Sequence, residues 1–214
     1  MRALNKSNEK FDRNVAALCT KVSLNEKDVS GVYLYGSRLW GSATPKSDYD
    51  FVVVLKKNPA GQQAATWTLH GGGNVDCLCM SEKEFDRRLA EMNFLCVMIV
   101  HWMPAEWRWK QHKTSAVAVD VARFVDSVVA EAVDRDWAVG SKKRDKGMKE
   151  AANKVHAHAV RMMRIAAALK QDPKSRPNLW CTADIARMTK EDYQGTMVPA
   201  FLEEEKERLL ALLK

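Results

Sequence analysis

Apolar residues fall in short runs over the first half of the chain and at helical spacing over the second. Runs at 32–35, 51–55, 66–70 and 75–80 have the length and β-branched or aromatic content of strands. Gly71-Gly72-Gly73-Asn74 separates the last two as a turn signal. Phe11, Val15, Leu18 and Cys19 recur at helical spacing and predict a helix over 8–22. Ser81, with Glu84 three positions on, forms a capping box that opens a helix running toward Met92. From 115 to 170 the pattern is helical almost throughout, with glycine only at Gly140 and Gly147. Gln171-Asp172-Pro173 ends that region, and 174–178 reads as a loop. A last amphipathic helix over 201–213 sets Phe201, Leu202, Leu209, Leu210 and Leu213 against Glu203-Glu204-Glu205. The composition shifts near residue 113. The expectation is an α/β (α+β) half with a small mixed sheet over 1–113, followed by a helical domain over 114–214.

The segment between the first two strands carries the chemistry. The first apolar run stops at Gly36-Ser37, and a spacer of ten residues leads to Asp48, Tyr49, Asp50 and Phe51. On a strand, residues i and i+2 share a face, so Asp48 and Asp50 are expected on one side and Tyr49 and Phe51 on the other. Two adjacent carboxylates repel unless a cation lies between them. Mg²⁺ suits them, since it takes oxygen ligands and usually combines one or two carboxylates with substrate phosphates. Gly36-Ser37 supplies a turn without a Cβ, where backbone N–H groups and a hydroxyl can approach a phosphate. Asp76, between Val75 and Cys77 inside another strand, is a charge that a buried strand disfavours unless it faces a cleft or a metal.

This arrangement resembles the DNA polymerase β-type nucleotidyltransferase superfamily, whose signature is an apolar residue, Gly-Ser, a spacer of roughly ten and Asp-apolar-Asp-apolar. Tyr35, Gly36, Ser37, Asp48, Tyr49, Asp50 and Phe51 occupy those positions, and Arg38, Gly41 and Ser47 match the extended pattern of the minimal nucleotidyltransferase branch. The resemblance implies a nucleotidyltransferase domain over 1–113. Its Asp48, Asp50 and Asp76 would be catalytic and would bind two Mg²⁺ ions, with Mn²⁺ as a substitute. Gly36, Ser37, Arg38 and Ser47 would hold an NTP, most simply ATP. Arg38 is expected either to point toward the triphosphate or to brace the turn. The implied reaction moves a nucleoside monophosphate onto a hydroxyl acceptor and releases pyrophosphate. A nucleic-acid end, a protein hydroxyl and a small aminoglycoside-like molecule compete as acceptor. A non-catalytic regulator that binds nucleotide or nucleic acid is the alternative of a different class, and three intact acids argue against it.

Two other phosphate or acyl motifs fail. Gly36 to Gly41 has P-loop glycine spacing, but Ser42-Ala43 stands where Lys-Ser/Thr is required. His70-Gly71-Gly72-Gly73 looks like an esterase oxyanion segment, yet the chain contains no Gly-x-Ser-x-Gly elbow.

Composition narrows the rest. A hydrophobic content of 46% over 214 residues excludes wholesale disorder and supports a sizeable core. The polar N-terminus has no apolar segment of a secretory signal, and the longest apolar stretch, 94–103, is too short to span a bilayer. Five cysteines (Cys19, Cys77, Cys79, Cys96, Cys181) without CxxC pairing suggest reduced thiols and a cytoplasmic location. Cys77 and Cys79 should share one strand face in the core, and Trp102, Trp107 and Trp109 are expected in core packing, with base stacking as the alternative. Residues 140–190 hold 13 Lys and Arg against 4 Asp and Glu, a local charge of +9 in a chain of +7. Lys154, His158 and Arg161 fall on one stripe of one helix and are candidates to face the nucleotide phosphates. The remaining cluster, Lys142-Lys143-Arg144, reads as a solvated turn or an anion-attracting surface.

Overall fold

The computed structural model describes residues 14–41, 43, 46–59, 62–71, 74–114, 117–174 and 200–214. Within them the chain divides into two compact units, one of Met1–Arg87 with Met103–Ala116 and one of Arg88–Trp102 with Val117–Lys214.

The first unit is built on a five-stranded sheet. Its strands are β1 (Val29–Leu34), β2 (Tyr49–Leu55), β3 (Thr66–Gly71), β4 (Val75–Ser81) and β5 (Arg108–Lys110), in the order β3-β4-β2-β1-β5. β2 and β4 run parallel, and every other neighbouring pair is antiparallel, so the sheet is mixed as expected. Four strands lie within two or three residues of the apolar runs. β5 had no sequence signal, because three residues are too few for alternation to show.

Both faces of the central strands are covered, which explains the unbroken apolar run of β2. On one face Phe51, Val53 and Leu55 join Val32, Leu34, Cys77 and Cys79 in a core closed by Leu18, Cys19 and Val22. Those last three come from or follow α1 (Val15–Lys21), whose N-cap Asn14 accepts a hydrogen bond from the Ala17 amide at 3.1 Å. Residues 8–13 of the predicted helix lie outside the described residues. On the other face Tyr33 stacks on Phe85, with ring centroids 6.3 Å apart. Phe85 belongs to α3 (Glu82–Ala90), which the expected capping box opens, since the Ser81 hydroxyl accepts from the Glu84 amide at 3.3 Å. Trp109 packs edge-on against Phe51 at 4.7 Å and lines the core with Trp107.

The second unit is helical: α4 (Phe94–Val97) with a π turn at Met98–Trp102, then α5 (Val121–Val129), a π-helical stretch Ala130–Trp137, α6 (Ala138–Asp145), α7 (Lys149–Gln171) and α8 (Ala200–Leu213). The division therefore differs from a cut near residue 113. Residues 88–102 belong with the helices because their apolar side chains pack there: Phe94 stacks on Phe124 at 6.2 Å, and Trp102 meets Phe124 edge-on at 5.3 Å. The helical region expected over 115–170 is interrupted at Gly147, where φ of +76° favours glycine. Leu202, Leu209 and Leu213 bury the apolar face of α8, and Arg164 of α7 pairs with Glu205 of α8 at 2.7 Å. The loop expected at 174–178 falls almost wholly outside the described residues. Among those described, no helix is long and apolar enough to cross a membrane.

Candidate active site

β1 ends at Leu34, and a four-residue helix, α2 (Gly36–Leu39), follows directly after Tyr35. The Tyr35 amide donates to the Asp50 carbonyl at 2.7 Å, which lays the turn against the start of β2. Gly36 has φ of +64°, and a Cβ there would lie 2.6 Å from Asp50 Cγ and 2.8 Å from Asp50 Cβ. Both the backbone angle and the space require glycine, so the turn and the carboxylate are in direct contact.

Arg38 braces the far side of the loop. Its Nη2 donates to the Ser47 carbonyl at 2.7 Å, its Nε to the Asp48 carbonyl at 3.2 Å, and its guanidinium lies 3.6 Å over the Tyr49 ring. These contacts tie Arg38 to the loop that carries Asp48. Ser47 thus acts here through its backbone.

The acids come together across strands. Asp50 of β2 and Asp76 of β4 face each other in parallel register, on the face opposite Phe51 and Cys77. Asp48 precedes β2 and is exposed, so strand alternation places Asp50 but not Asp48. Burial pushes the Asp50 carboxyl above its usual range, with further contributions from the negative charges of Asp76 and Asp48 and a partial offset from Arg38. Three acids therefore share one electrostatic site, although among the described residues no group of three His, Cys, Asp or Glu is gathered tightly enough to enclose a metal.

One neighbour escaped the sequence. His70 of β3 faces Asp76 in antiparallel register, and its Nδ1 lies 2.7 Å from Asp76 Oδ1. The signal was present, since a hairpin closed at Gly71 to Asn74 sets His70 opposite Asp76, but the histidine reads as part of a glycine turn until the register is known.

The helical candidates are Lys154, His158 and Arg161. All three lie on α7, in the second unit. Lys154 pairs with Glu150 at 2.8 Å on the surface. His158 Nδ1 meets Asp136 Oδ2 at 3.1 Å, and Arg161 is only 8% exposed. Arg135 also donates to Asp136 at 2.8 Å, and these partners outweigh burial and hold the Asp136 carboxyl below its usual range. Cys77 and Cys79 are buried in the core and their thiols are pushed up to about 12, so neither supplies a thiolate near neutral pH.

A glycine turn is thus seated against one of two register-matched acids. Residues 19–73 match the model of the family described as Polymerase beta, Nucleotidyltransferase, and this segment carries the superfamily's domain. The match spans β1, the turn, β2 and β3 and stops just before β4. Among solved structures, a nucleotidyltransferase-like protein from Exiguobacterium sibiricum is similar at 14% identity over 87% of this chain and 69% of that one, with a TM-score of 0.30. So low a score adds nothing to the assignment. Comparison with curated proteins gives no significant match.

Proposed function

We propose that the protein is a metal-dependent nucleotidyltransferase that moves a nucleoside monophosphate from an NTP, with ATP the first choice, to a hydroxyl acceptor. The acceptor oxygen bonds to the α-phosphorus, the bond to the bridging oxygen breaks, and pyrophosphate leaves. Support comes above all from Asp50 and Asp76 facing each other on parallel strands while Gly36 packs against the Asp50 carboxyl.

The donor set fits Mg²⁺: it is all oxygen, it concentrates negative charge on a part-buried carboxyl, and Mg²⁺ commonly completes its shell with waters and substrate phosphates. Asp48, Asp50 and Asp76 would hold the ions. Bound there, Mg²⁺ supplies charge neutralisation for the entering and leaving oxygens of an in-line displacement. Ser37 gives its hydroxyl to the triphosphate. Arg38 and Ser47 keep the loop that carries Asp48 in place, and Asp76 accepts the proton of the acceptor hydroxyl. Lys154, His158 and Arg161 are left outside this assignment, because ion pairs and burial within the helical unit account for them. A cytoplasmic location goes with an NTP substrate and with the unpaired thiols of Cys19, Cys77, Cys79 and Cys96.

Incubation with Mg²⁺ and each α-labelled NTP, alone and with RNA, protein or aminoglycoside acceptors, tests the proposal. Label on an acceptor with matching pyrophosphate release is the expected result. Nucleotide binding without transfer to any acceptor would leave a regulator instead.

A further inference from the structure

We propose, resting on the transferase reading above, that His70 is a positioning residue for Asp76: its Nδ1–H holds one carboxylate oxygen and fixes which oxygen meets the acceptor hydroxyl. Three side chains stand in one row across adjacent strands, Asp50 on β2, Asp76 on β4 and His70 on β3, each at a facing register position. The central one is pulled from one side and repelled from the other. Asp50 and Asp76 carry like charge, and a short flexible carboxylate beside another swings away unless something tethers it. The tether is the 2.7 Å contact of His70 Nδ1 with Asp76 Oδ1. An ionised carboxylate only accepts, so the contact assigns the proton to Nδ1. Asp76 keeps its second oxygen for the side on which the ion and the acceptor hydroxyl would bind.

Stability does not account for the pair. The His70 side chain is 77% exposed and that of Asp76 42%, and exposed ion pairs contribute at most about 1 kcal/mol. Such exposure is what a group meeting an incoming acceptor needs. Partners that orient a ligating or catalytic carboxylate typically change activity by about 10- to 100-fold when removed.

The test compares His70→Phe, which keeps the ring's bulk, with His70→Asn, whose amide N–H can replace the lost donor. In His70→Phe, kcat for transfer should fall about tenfold or more while the Kd for NTP stays unchanged, and His70→Asn should recover most of the loss. Nitrogen-15 NMR of the full chain should show the His70 ring protonated at Nδ1, and Asp76→Ala should remove that preference. Wild-type kcat in His70→Phe, an Asn variant as slow as the Phe variant, or no Nδ1 preference would each overturn the positioning role. Absence of transfer by the wild-type protein to any acceptor would overturn the transferase reading, and this role with it. A fast His70→Phe variant overturns this role alone.

Discussion

Asp50 is where sequence, fold and chemistry meet most closely. Its identity was legible from spacing alone, but its opposition to Asp76 depends on a parallel pairing that no local pattern encodes. Its carboxyl is raised above the ordinary value of an aspartate, chiefly by burial. A raised carboxyl binds its proton more tightly in the folded state, so the fold loses stability as pH climbs above the unfolded value, and near neutrality Asp50 destabilises. Asp50→Asn should therefore give a higher Tm than wild type at pH 7, with the difference vanishing below about pH 4. In the same variant, transfer should drop about a thousandfold, the scale of losing a key electrostatic group. A Tm below wild type at pH 7 would mean the carboxylate is structural. At Ser37, loss of one charge-assisted hydrogen bond, worth about 1.5–3 kcal/mol, should raise the Kd for NTP at least tenfold in Ser37→Ala. Calorimetric titration with a non-hydrolysable NTP and Mg²⁺ measures it.

At the scale of elements, legibility followed length. The 23 residues of α7 and the seven of β2 announced themselves. The three residues of β5 did not, and neither did the π-helical turns, which depend on packing against neighbours rather than on periodicity. The α6–α7 contact shows how tertiary fit overrides propensity. Gly140 lies inside α6, where alanine would ordinarily gain about 0.5–1 kcal/mol. A Cβ there would run into the His156 ring of α7, with Cε1 at 3.0 Å and two ring atoms nearer still. Overpacking costs about 1–3 kcal/mol, so the clash wins and Gly140→Ala should lower the urea midpoint. His156 is fully buried and stacked on Trp137 at 4.4 Å. Its Nε2 donates to the Trp137 carbonyl at 3.2 Å, and its Nδ1 has no hydrogen-bond partner among the described residues. Burial is the main reason its pKa lies below 6.5, with Arg144 and Lys206 lowering it and the Trp137 carbonyl and Glu203 opposing. A depressed histidine protonates in the unfolded chain first, so stability should fall as pH drops below about 6.5. His156→Gln should flatten that part of the pH–Tm curve, and an unchanged slope would assign it to other groups.

Over the whole molecule, several cations behind the +9 of residues 140–190 have partners within the described residues. Arg144 is buried and donates to Asn153, Lys154 is paired with Glu150, Arg164 with Glu205, and Lys170 donates to the Leu213 carbonyl. A basic cluster in sequence says how many cations a segment holds, not how many a partner can reach. Around the α6–α7 break Lys142 and Lys146 are exposed and Lys143 is part-buried, with the exposed Asp145 among them and the half-exposed Met148 beside them. If the acceptor is a nucleic-acid end, this is the patch that meets its backbone, and each neutralised phosphate contributes to the salt dependence through counterion release. The informative variant therefore replaces Lys142, Lys143 and Lys146 by Ala and leaves Arg144, which is buried and donates to Asn153. Fluorescence anisotropy with single-stranded and hairpin RNA from low to moderate salt should show binding that weakens with salt in wild type. The slope of log K against log salt should be shallower by about one to three in the variant. An unaltered slope would move the RNA contact elsewhere, and no binding by wild type at low salt would make a protein or small-molecule hydroxyl the better acceptor.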